Sequence, residues 1–398
     1  MALNVSHWEL IDNDRRLQEV LTHYADATAV AVDTEFMRRK TFYPEVALLQ
    51  LCFGKAGADD QTVDNKAWLI DPLVIEDLQP LRELMQRTAT VKVLHSPSED
   101  LEVFNRWLGV LPEPLFDSQR AVAMLGGDFG LGYRALVQQY CQIDLPKGET
   151  CSDWLQRPLS QSQCEYAALD VTYLLQIYTR LHTECERRGR LDWVLADGED
   201  ALSQAREPVC NTHWRVKSAW KLKPRQLAVL AALCDWRELA ARQQNRPRNW
   251  VIEDVCCLQI ARKMPADRRQ LSIHTKLPPS ILRRHADDFL AIVEQQTRRP
   301  DAELPVALPA PLSAVERNHL KLLKQRIGDI AHTLEIAPEI LLSRRDCEAL
   351  IREAHKQSQN KLLPDEQLPR SWQGWRKAVV LDPLRDYLRL ELLPSEKI

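Results

Sequence analysis

Two acids separated by one residue, a third acid further along, and a Tyr-x-x-x-Asp pair are the side chains of this sequence best suited to chemistry. Asp33-Thr34-Glu35-Phe36 directly follows the apolar run Ala29-Val30-Ala31-Val32. If that run is a strand and the extended conformation continues, residues 33 and 35 face the same side. Carboxylates so placed repel one another unless a cation sits between them. The tetrapeptide equally suits a capped turn at a strand end, because turns favour Asp. His95-Ser96-Pro97-Ser98-Glu99-Asp100-Leu101 follows a second apolar run and opens a helix, with Ser98 as its expected N-cap and Asp100 in its first turn. Glu99 and Glu102 compete with Asp100, and any of the three could serve only the helix dipole. His95 reads as a hydrogen-bonding partner rather than a ligand, since no second His lies at ligand spacing. In Tyr166-Ala167-Ala168-Leu169-Asp170 the i, i+4 spacing stacks phenol and carboxylate on one helical face. Its alternative is a core tyrosine with an incidental Asp.

Taken together, these runs place four acids and a tyrosine at the ends of a sheet and on a helix that crosses it. Such a cluster suits two divalent cations roughly 3.5–4 Å apart. Oxygen-only ligands favour Mg²⁺ or Mn²⁺ over zinc.

The elements that must position these residues are strands at 29–32, 46–53, 67–70 and 91–94. The first three are joined by connections too short for helical crossovers, which predicts an antiparallel meander. A helix-length segment, 78–87, permits a parallel crossover to the fourth. Beyond residue 97 helices are expected at 98–108, 117–125, 132–140 and 161 to about 187, giving a mixed sheet flanked by helices. Residues 206–213 and the Pro-rich stretch 298–313 read as linkers. After each the sequence is almost wholly helical, with apolar faces at Leu227, Leu230, Leu233 and Ala240, and at Leu320, Leu323, Ile327, Ile330 and Leu334.

Charge divides the chain in the same place. Residues 1–208 hold 20 Lys and Arg against 33 Asp and Glu, and residues 209–398 hold 33 against 23, so a net charge of -3 conceals an acidic half and a basic half. That asymmetry suits a cation-dependent site beside a polyanion-binding surface. With 398 residues, 45% hydrophobic and only 12 Gly, the sequence excludes collagen-like, disordered and disulfide-scaffold classes. No apolar run reaches the ~18 residues of a membrane span. The N-terminus has neither a basic leader nor an apolar core, so a cytoplasmic protein is expected. Ten scattered cysteines without a C-x-x-C read as buried thiols in a reducing compartment.

Asp33-x-Glu35, Asp100 and Tyr166-x-x-x-Asp170 resemble the three motifs of the DEDDy 3′→5′ exonucleases, which have a ribonuclease H-like fold. The run Ser152-Asp153-Trp154-Leu155-Gln156-Arg157-Pro158-Leu159, continuing through Gln163 to Leu174, is most similar to the bacterial ribonuclease D family. In the second half, Leu230-x-x-Leu233-x-x-Trp236-Arg237 with Pro247, Val251, Asp254, Leu258 and Ile260-Ala261 resembles an HRDC domain. Leu341-Leu342-Ser343-Arg344-Arg345 and Trp372-Gln373-Gly374-Trp375-Arg376 resemble the divergent second HRDC domain of that family. The resemblance implies an exonuclease domain over 1–206 and HRDC domains over 213–297 and 313–391. One departure is Ser96-Pro97, where small residues without proline are expected before the helix.

The family pattern implies that Asp33 bridges both metals and that Glu35 and Asp170 complete the one that activates water. Asp100 then holds the other, and Tyr166 orients the attacking water. It further implies an exoribonuclease trimming the 3′ ends of structured RNAs, notably tRNA precursors, with release of 5′-monophosphates. The basic half is expected to hold RNA through Lys221, Lys223, Arg225, Arg242, Arg246 and Arg248, with salt-sensitive affinity. Trp220 and Trp250 are candidate stacking platforms, whereas Trp236 falls within the Leu230/Leu233 stripe and is expected in the core. No obligate protein partner is evident. Two other readings remain at this point: a DNA 3′→5′ exonuclease like that attached to some RecQ helicases, and a catalytically inactive RNA-binding scaffold.

Overall fold

A computed structural model describes residues 7–54, 65–146, 148–149, 152–207, 210–356, 369 and 372–388. They form two compact units. The first comprises residues up to Met37, Val46–Arg206 and the chain from Leu312 onward; the second comprises Arg38–Glu45 and Glu207–Pro311.

In the first unit, strands β1 (Trp8–Ile11), β2 (Ala29–Met37), β3 (Glu45–Gly54), β4 (Ala67–Ile70), β5 (Val91–Leu94) and β6 (Leu115–Asp117) make one sheet of order β1-β4-β3-β2-β5-β6. β3 and β4 run antiparallel, whereas β1–β4, β2–β5 and β5–β6 are parallel pairs, so the sheet is mixed. All four expected strands are present. β1 and β6 are additional: four and three residues long, they are too short to show a period-2 pattern. Helices α1 (Asp14–His23), α2 (Gln79–Gln86) and α3 (Ser98–Trp107) cover one face. Helices α4 (Ser118–Met124), α5 (Tyr133–Cys141) and α6 (Gln161–Arg187) cover the other, and α7 (Leu191–Arg206) closes the layer beside β6.

β2 shows how sequence sets the two faces. Ala29 and Ala31 point into the α6 side of the core, and Val30 and Val32 into the α1–α3 side. The same alternation carried forward puts Asp33 and Glu35 on the α6 side and Thr34 on the α3 side. Ala29 and Ala31 meet Ala167 and Ala168 in the same core, and this small-on-small packing lets α6 lie close across β2. α6 begins with a full capping box, Ser160 accepting from the Gln163 amide and Gln163 accepting in return from that of Ser160.

Helices α13 (Ala314–Leu334), α14 (Pro338–Leu341) and α15 (Arg344–Lys356), with α16 (Asp382–Tyr387), extend the same core. Trp375 stacks on Trp193 of α7 with centroids 4.4 Å apart. Buried Asp197 of α7 pairs with Arg120 at 2.7 Å and Arg376 at 2.6 Å. The second unit is helical: α8 (Pro224–Gln243), α9 (Arg248–Val251), α10 (Asp254–Lys263), α11 (Arg268–His274) and α12 (Pro279–Arg298). Leu227, Leu230, Leu233 and Ala240 are all buried there, and Trp236 packs edge-on against Phe289 as its place in the stripe predicts. Seven of the nine described cysteines are buried thiols. No helix among the described residues is long and apolar enough to cross a membrane.

Candidate active site

The expected acids converge, in two tiers. Carboxylate oxygens of Asp33, Glu35 and Asp170 all lie within 4.8 Å of one another. Asp33 and Glu35 reach this point because β2 stays extended through Met37, five residues past its apolar run. Asp170 meets them from α6. Asp100 is outside this tight trio but within its field, arriving from the α3 side of the sheet. There the hydroxyl of Thr34 donates to Asp100 Oδ1 at 2.5 Å. The residue between the two β2 acids thus fixes the fourth acid from the opposite face, a role that its spacing alone does not announce.

The approach to Asp100 differs from expectation in one detail. Ser98 is the first helical residue and Pro97 the cap, with no side-chain cap bond. Ser96 takes the left-handed conformation (φ 55°), so its N–H turns to Asp117 Oδ1 at 3.0 Å, an oxygen that also caps α4 through Gln119 N. Proline suits this lead-in because a helix's first turn has no use for its missing N–H. His95 is a hydrogen-bonding residue, as expected. Burial lowers its pKa to about 4. Neutral His95 bridges the Ser118 hydroxyl (2.9 Å) and the Leu131 carbonyl (3.0 Å). Among the Glu99, Asp100 and Glu102 alternatives, only Asp100 is buried.

Electrostatics mark the cluster as unfavourable by itself. Burial first, then the charges of Asp100, Asp170 and Glu35, pushes Asp33 well above the usual carboxylate range. Burial, then Asp170 and Asp100, pushes Glu35 up to about 9. Asp170 is raised to about 8 by burial. Asp100 is raised by burial too, opposed by the hydrogen bond from Thr34. Acids held this way either keep protons or share a cation, and hard oxygen donors suit Mg²⁺ or Mn²⁺.

Tyr166 lies one turn before Asp170, half-buried, its ring 6.1 Å from that of Trp154. Sequence reasoning passed over three supports. The Tyr133 hydroxyl reaches the Asp170 carbonyl at 2.6 Å and holds α6 at that residue. Arg157, inside the motif run, grips Asp71 through two nitrogens (2.6 and 2.7 Å) and bonds the Ala47 and Trp154 carbonyls, fastening that loop to the sheet. Asp117 braces Ser96, as above. Only Arg157 sat in a run singled out beforehand.

The six basic candidates separate by role within the second unit. Lys221, Lys223 and Arg246 are exposed. Arg225 instead closes the end of α12, donating to the carbonyls of Gln296, Thr297 and Arg299. Arg242 and Arg248 share Glu238 and lie over the Phe42 ring, 5.0 and 4.6 Å from its centroid. Trp220 and Trp250 are exposed by 38% and 52%.

Comparison with known proteins agrees with this geometry. Residues 8–186 match the 3′-5′ exonuclease family model, and residues 226–293 match the HRDC domain model. The chain is 40% identical over 379 residues to ribonuclease D of Pseudomonas paraeruginosa, covering 95% of this chain and 96% of that one. It is 35% identical over 389 residues to ribonuclease D of Escherichia coli, covering 96% and 99%. The crystal structure of Escherichia coli RNase D, described as an exoribonuclease involved in structured RNA processing, superposes with a TM-score of 0.85 at 34% identity, over 98% of this chain and all of that one.

Proposed function

Because the chain belongs to the ribonuclease D family of 3′→5′ exoribonucleases, we propose that it trims structured RNAs, tRNA precursors among them, one nucleotide at a time from the 3′ end. The observation that carries this reading is the approach of Asp33, Glu35 and Asp170 within 4.8 Å, with Asp100 held beside them. Asp33, Glu35 and Asp170 would hold one divalent cation, and Asp33 with Asp100 would hold a second. Such cations would supply acidity to a bound water and charge stabilisation at the departing 3′ oxygen. The hydroxyl of Tyr166, one helical turn from Asp170, orients that water toward phosphorus. A P–O bond forms to the water oxygen, the bond to the 3′ oxygen breaks, and a proton ends on the shortened RNA. Each turn releases a nucleoside 5′-monophosphate. No side-chain nucleophile takes part.

The domain limits proposed are 1–206 for the exonuclease, 213–297 for the first HRDC domain and 313–391 for a divergent second. The HRDC pair is supported by a repeated helix pattern. Long α8, four-residue α9 and α10 are matched in order and length by long α13, four-residue α14 and α15. Part of the last segment lies outside the described residues. Lys221, Lys223, Arg242, Arg246 and Arg248 are proposed RNA contacts. Arg225, whose guanidinium donates to the carbonyls at the end of α12, is proposed to close that helix rather than to contact RNA.

The test is a 3′-labelled precursor-tRNA hairpin and a matched DNA hairpin, each titrated with Mg²⁺ and Mn²⁺. Stepwise loss of RNA 3′ nucleotides that EDTA stops supports the reading. Equal turnover of the DNA would move the substrate to DNA, and no turnover with either metal would make the chain a binding scaffold.

A further inference from the structure

One side chain of the sheet is buried at a cost that nothing around it offsets. Gln50, in the middle of β3, is 0% exposed, and both its amide atoms, Nε2 and Oε1, are buried without a hydrogen-bond partner among the described residues. No other described side chain has two buried polar atoms unbonded. The rest of the run from Val46 to Phe53 is apolar, so the strand has no use of its own for an amide there. A buried amide left unpaired is far less favourable than an apolar side chain of the same shape.

Its position points to the acid cluster. Alternation puts Gln50 on the face of Leu48 and Cys52, both in the α6-side core, and its partner across the antiparallel ladder, Leu69 of β4, belongs to the same core. Asp33 and Glu35 lie on that face, and β3 is the strand next to β2. Two contacts fix β3 lengthwise against α6. At one end the Ala47 carbonyl accepts from Arg157, which also bonds the carbonyl of Trp154, whose ring is 6.1 Å from that of Tyr166. At the other, Gly54 packs on Leu175, where an added Cβ would sit 2.9 Å from the leucine side chain. Gln50 falls between these anchors on β3 as Asp170 falls between Tyr166 and Leu175 on α6, so it lies under the turn that delivers Asp170.

We propose that Gln50 is a positioning residue of the cation site, its Nε2 group donating to a carboxylate oxygen of Asp33 when the acids close on divalent cations. This rests on the two-cation reading and deepens it. Asp33 follows Ala31 on the same face of the neighbouring strand, and its carboxylate comes within 4.8 Å of that of Asp170, whose turn covers Gln50. Same-face positions on adjacent strands are within reach of a long side chain. Carboxylates that hold metals are in turn held by outer hydrogen bonds. A neutral amide orients a carboxylate without taking its charge, whereas a lysine or arginine in its place would compete with the cation. The unpaired amide is then a stability penalty that cation binding relieves.

The test reads cation binding without RNA. The full chain, freed of metal by EDTA and dialysis, is titrated with Mn²⁺, and free Mn²⁺ is followed by its electron paramagnetic resonance signal. Gln50→Met and Gln50→Leu each raise the Mn²⁺ Kd about tenfold or more, the usual effect of losing an outer hydrogen bond to a metal ligand. The same variants raise the metal-free melting temperature by about 2–6 °C, because an apolar side chain ends the unpaired burial. Stability gained while affinity is lost identifies the role, since a residue that only filled the core would change stability alone. Leu48→Met, on the same face of β3, leaves Kd within about twofold. Wild-type Kd in both Gln50 variants would overturn the proposal. So would a lower metal-free melting temperature, which would mean that the amide is paired in the fold, or an equal loss of affinity in the Leu48 control. A wild type that binds no Mn²⁺ would strike the two-cation reading and the role of Gln50 with it, whereas normal wild-type binding with unchanged variants strikes Gln50 alone.

Discussion

Replacing Asp170 with Asn should stabilise the cation-free protein, and by an amount that grows with pH. Asp170 titrates near 8 in the fold because burial raises it, against 3.8 for an ordinary Asp. The folded state therefore keeps a proton that the unfolded state has released. Between the two values each pH unit lowers wild-type stability by about 1.4 kcal/mol for one retained proton. We count one proton, that of Asp170; Asp33 and Glu35 are raised by burial as well and remain in both proteins. Asn cannot ionise and escapes the loss. From pH 6 to pH 8, allowing for half-ionisation at the upper end, the advantage of Asp170→Asn over wild type then widens by about 2 kcal/mol, or roughly 4–5 °C in melting temperature at about 2 °C per kcal/mol for a unit of this size. The difference between proteins is the quantity to read, because two other buried groups act in the opposite sense and are common to both. Lys92, lowered to about 7 by burial, makes stability rise with pH above that value, and His95 does so between about 4 and its ordinary 6.5. Thermal melts in EDTA at half-unit steps measure it. Added Mg²⁺ should raise the wild-type melting temperature more at pH 8 than at pH 6, because protons must leave the acids first, and should do little for Asp170→Asn. A constant gap across that range, or a full Mg²⁺ response in the variant, would refute the claim that these acids repel one another around a cation site.

Tyr166→Phe should lower kcat on RNA by about a hundredfold while Mg²⁺ still raises the melting temperature as in wild type, because only the water-orienting hydroxyl is lost; an unchanged rate would remove the tyrosine from the reaction. Thr34→Val deletes the 2.5 Å bond to Asp100 and should cost about 1–3 kcal/mol by denaturant unfolding, with more Mg²⁺ needed for half-maximal rate. Arg157→Ala leaves Asp71, 4% exposed, without its two-pronged partner and should destabilise by about 3–5 kcal/mol in urea unfolding. Gly198→Ala should lower the melting temperature by several degrees, since a Cβ there would sit 2.2 Å from the Leu115 carbonyl oxygen where α7 crosses β6.

Legibility in the sequence followed the length of the signal. Four apolar runs and a 27-residue amphipathic helix were readable because each repeats its period enough times to stand out, and α6 spans the residues expected. β1 and β6, four and three residues long, have no such signal; their pairing with β4 and β5 is a decision of the whole sheet. Asp33 and Glu35 could be placed on one face from alternation alone, and Asp170 beneath Tyr166 from helical spacing. Their convergence could not, because it depends on Ala29 and Ala31 meeting Ala167 and Ala168 across more than a hundred residues of chain. Contacts of that range also hid Thr34 and Tyr133. A threonine between two acids reads as strand filler until α3 brings Asp100 to it. Among the basic residues, charge was legible and purpose was not. Arg225 and Arg248 look alike in sequence, yet one closes a helix and the other lines a cleft.

The same alternation that built the core therefore also built the site, and the site works against the core. Residues 29 and 31 on β2 bury apolar surface, while residues 33 and 35, next on the same face, bury charge that repels its neighbours. A strand with that content stays extended only where its surroundings over-determine it. Here they do so chiefly through bonds around the three-acid trio. Thr34 turns away to hold Asp100, Tyr133 takes the backbone of Asp170 rather than its carboxylate, and Asp117 fixes the turn at Ser96. The scaffold positions the backbone and gathers carboxylate oxygens of Asp33, Glu35 and Asp170 within 4.8 Å of one another. An arginine placed among them would have relieved the repulsion permanently, as Arg157 does for Asp71 and as Arg120 and Arg376 do for Asp197. That arginine neutralises buried acids elsewhere, and none does so here among the described residues, is the physical reason to read the cluster as a place for exchangeable cations, not a structural ion pair.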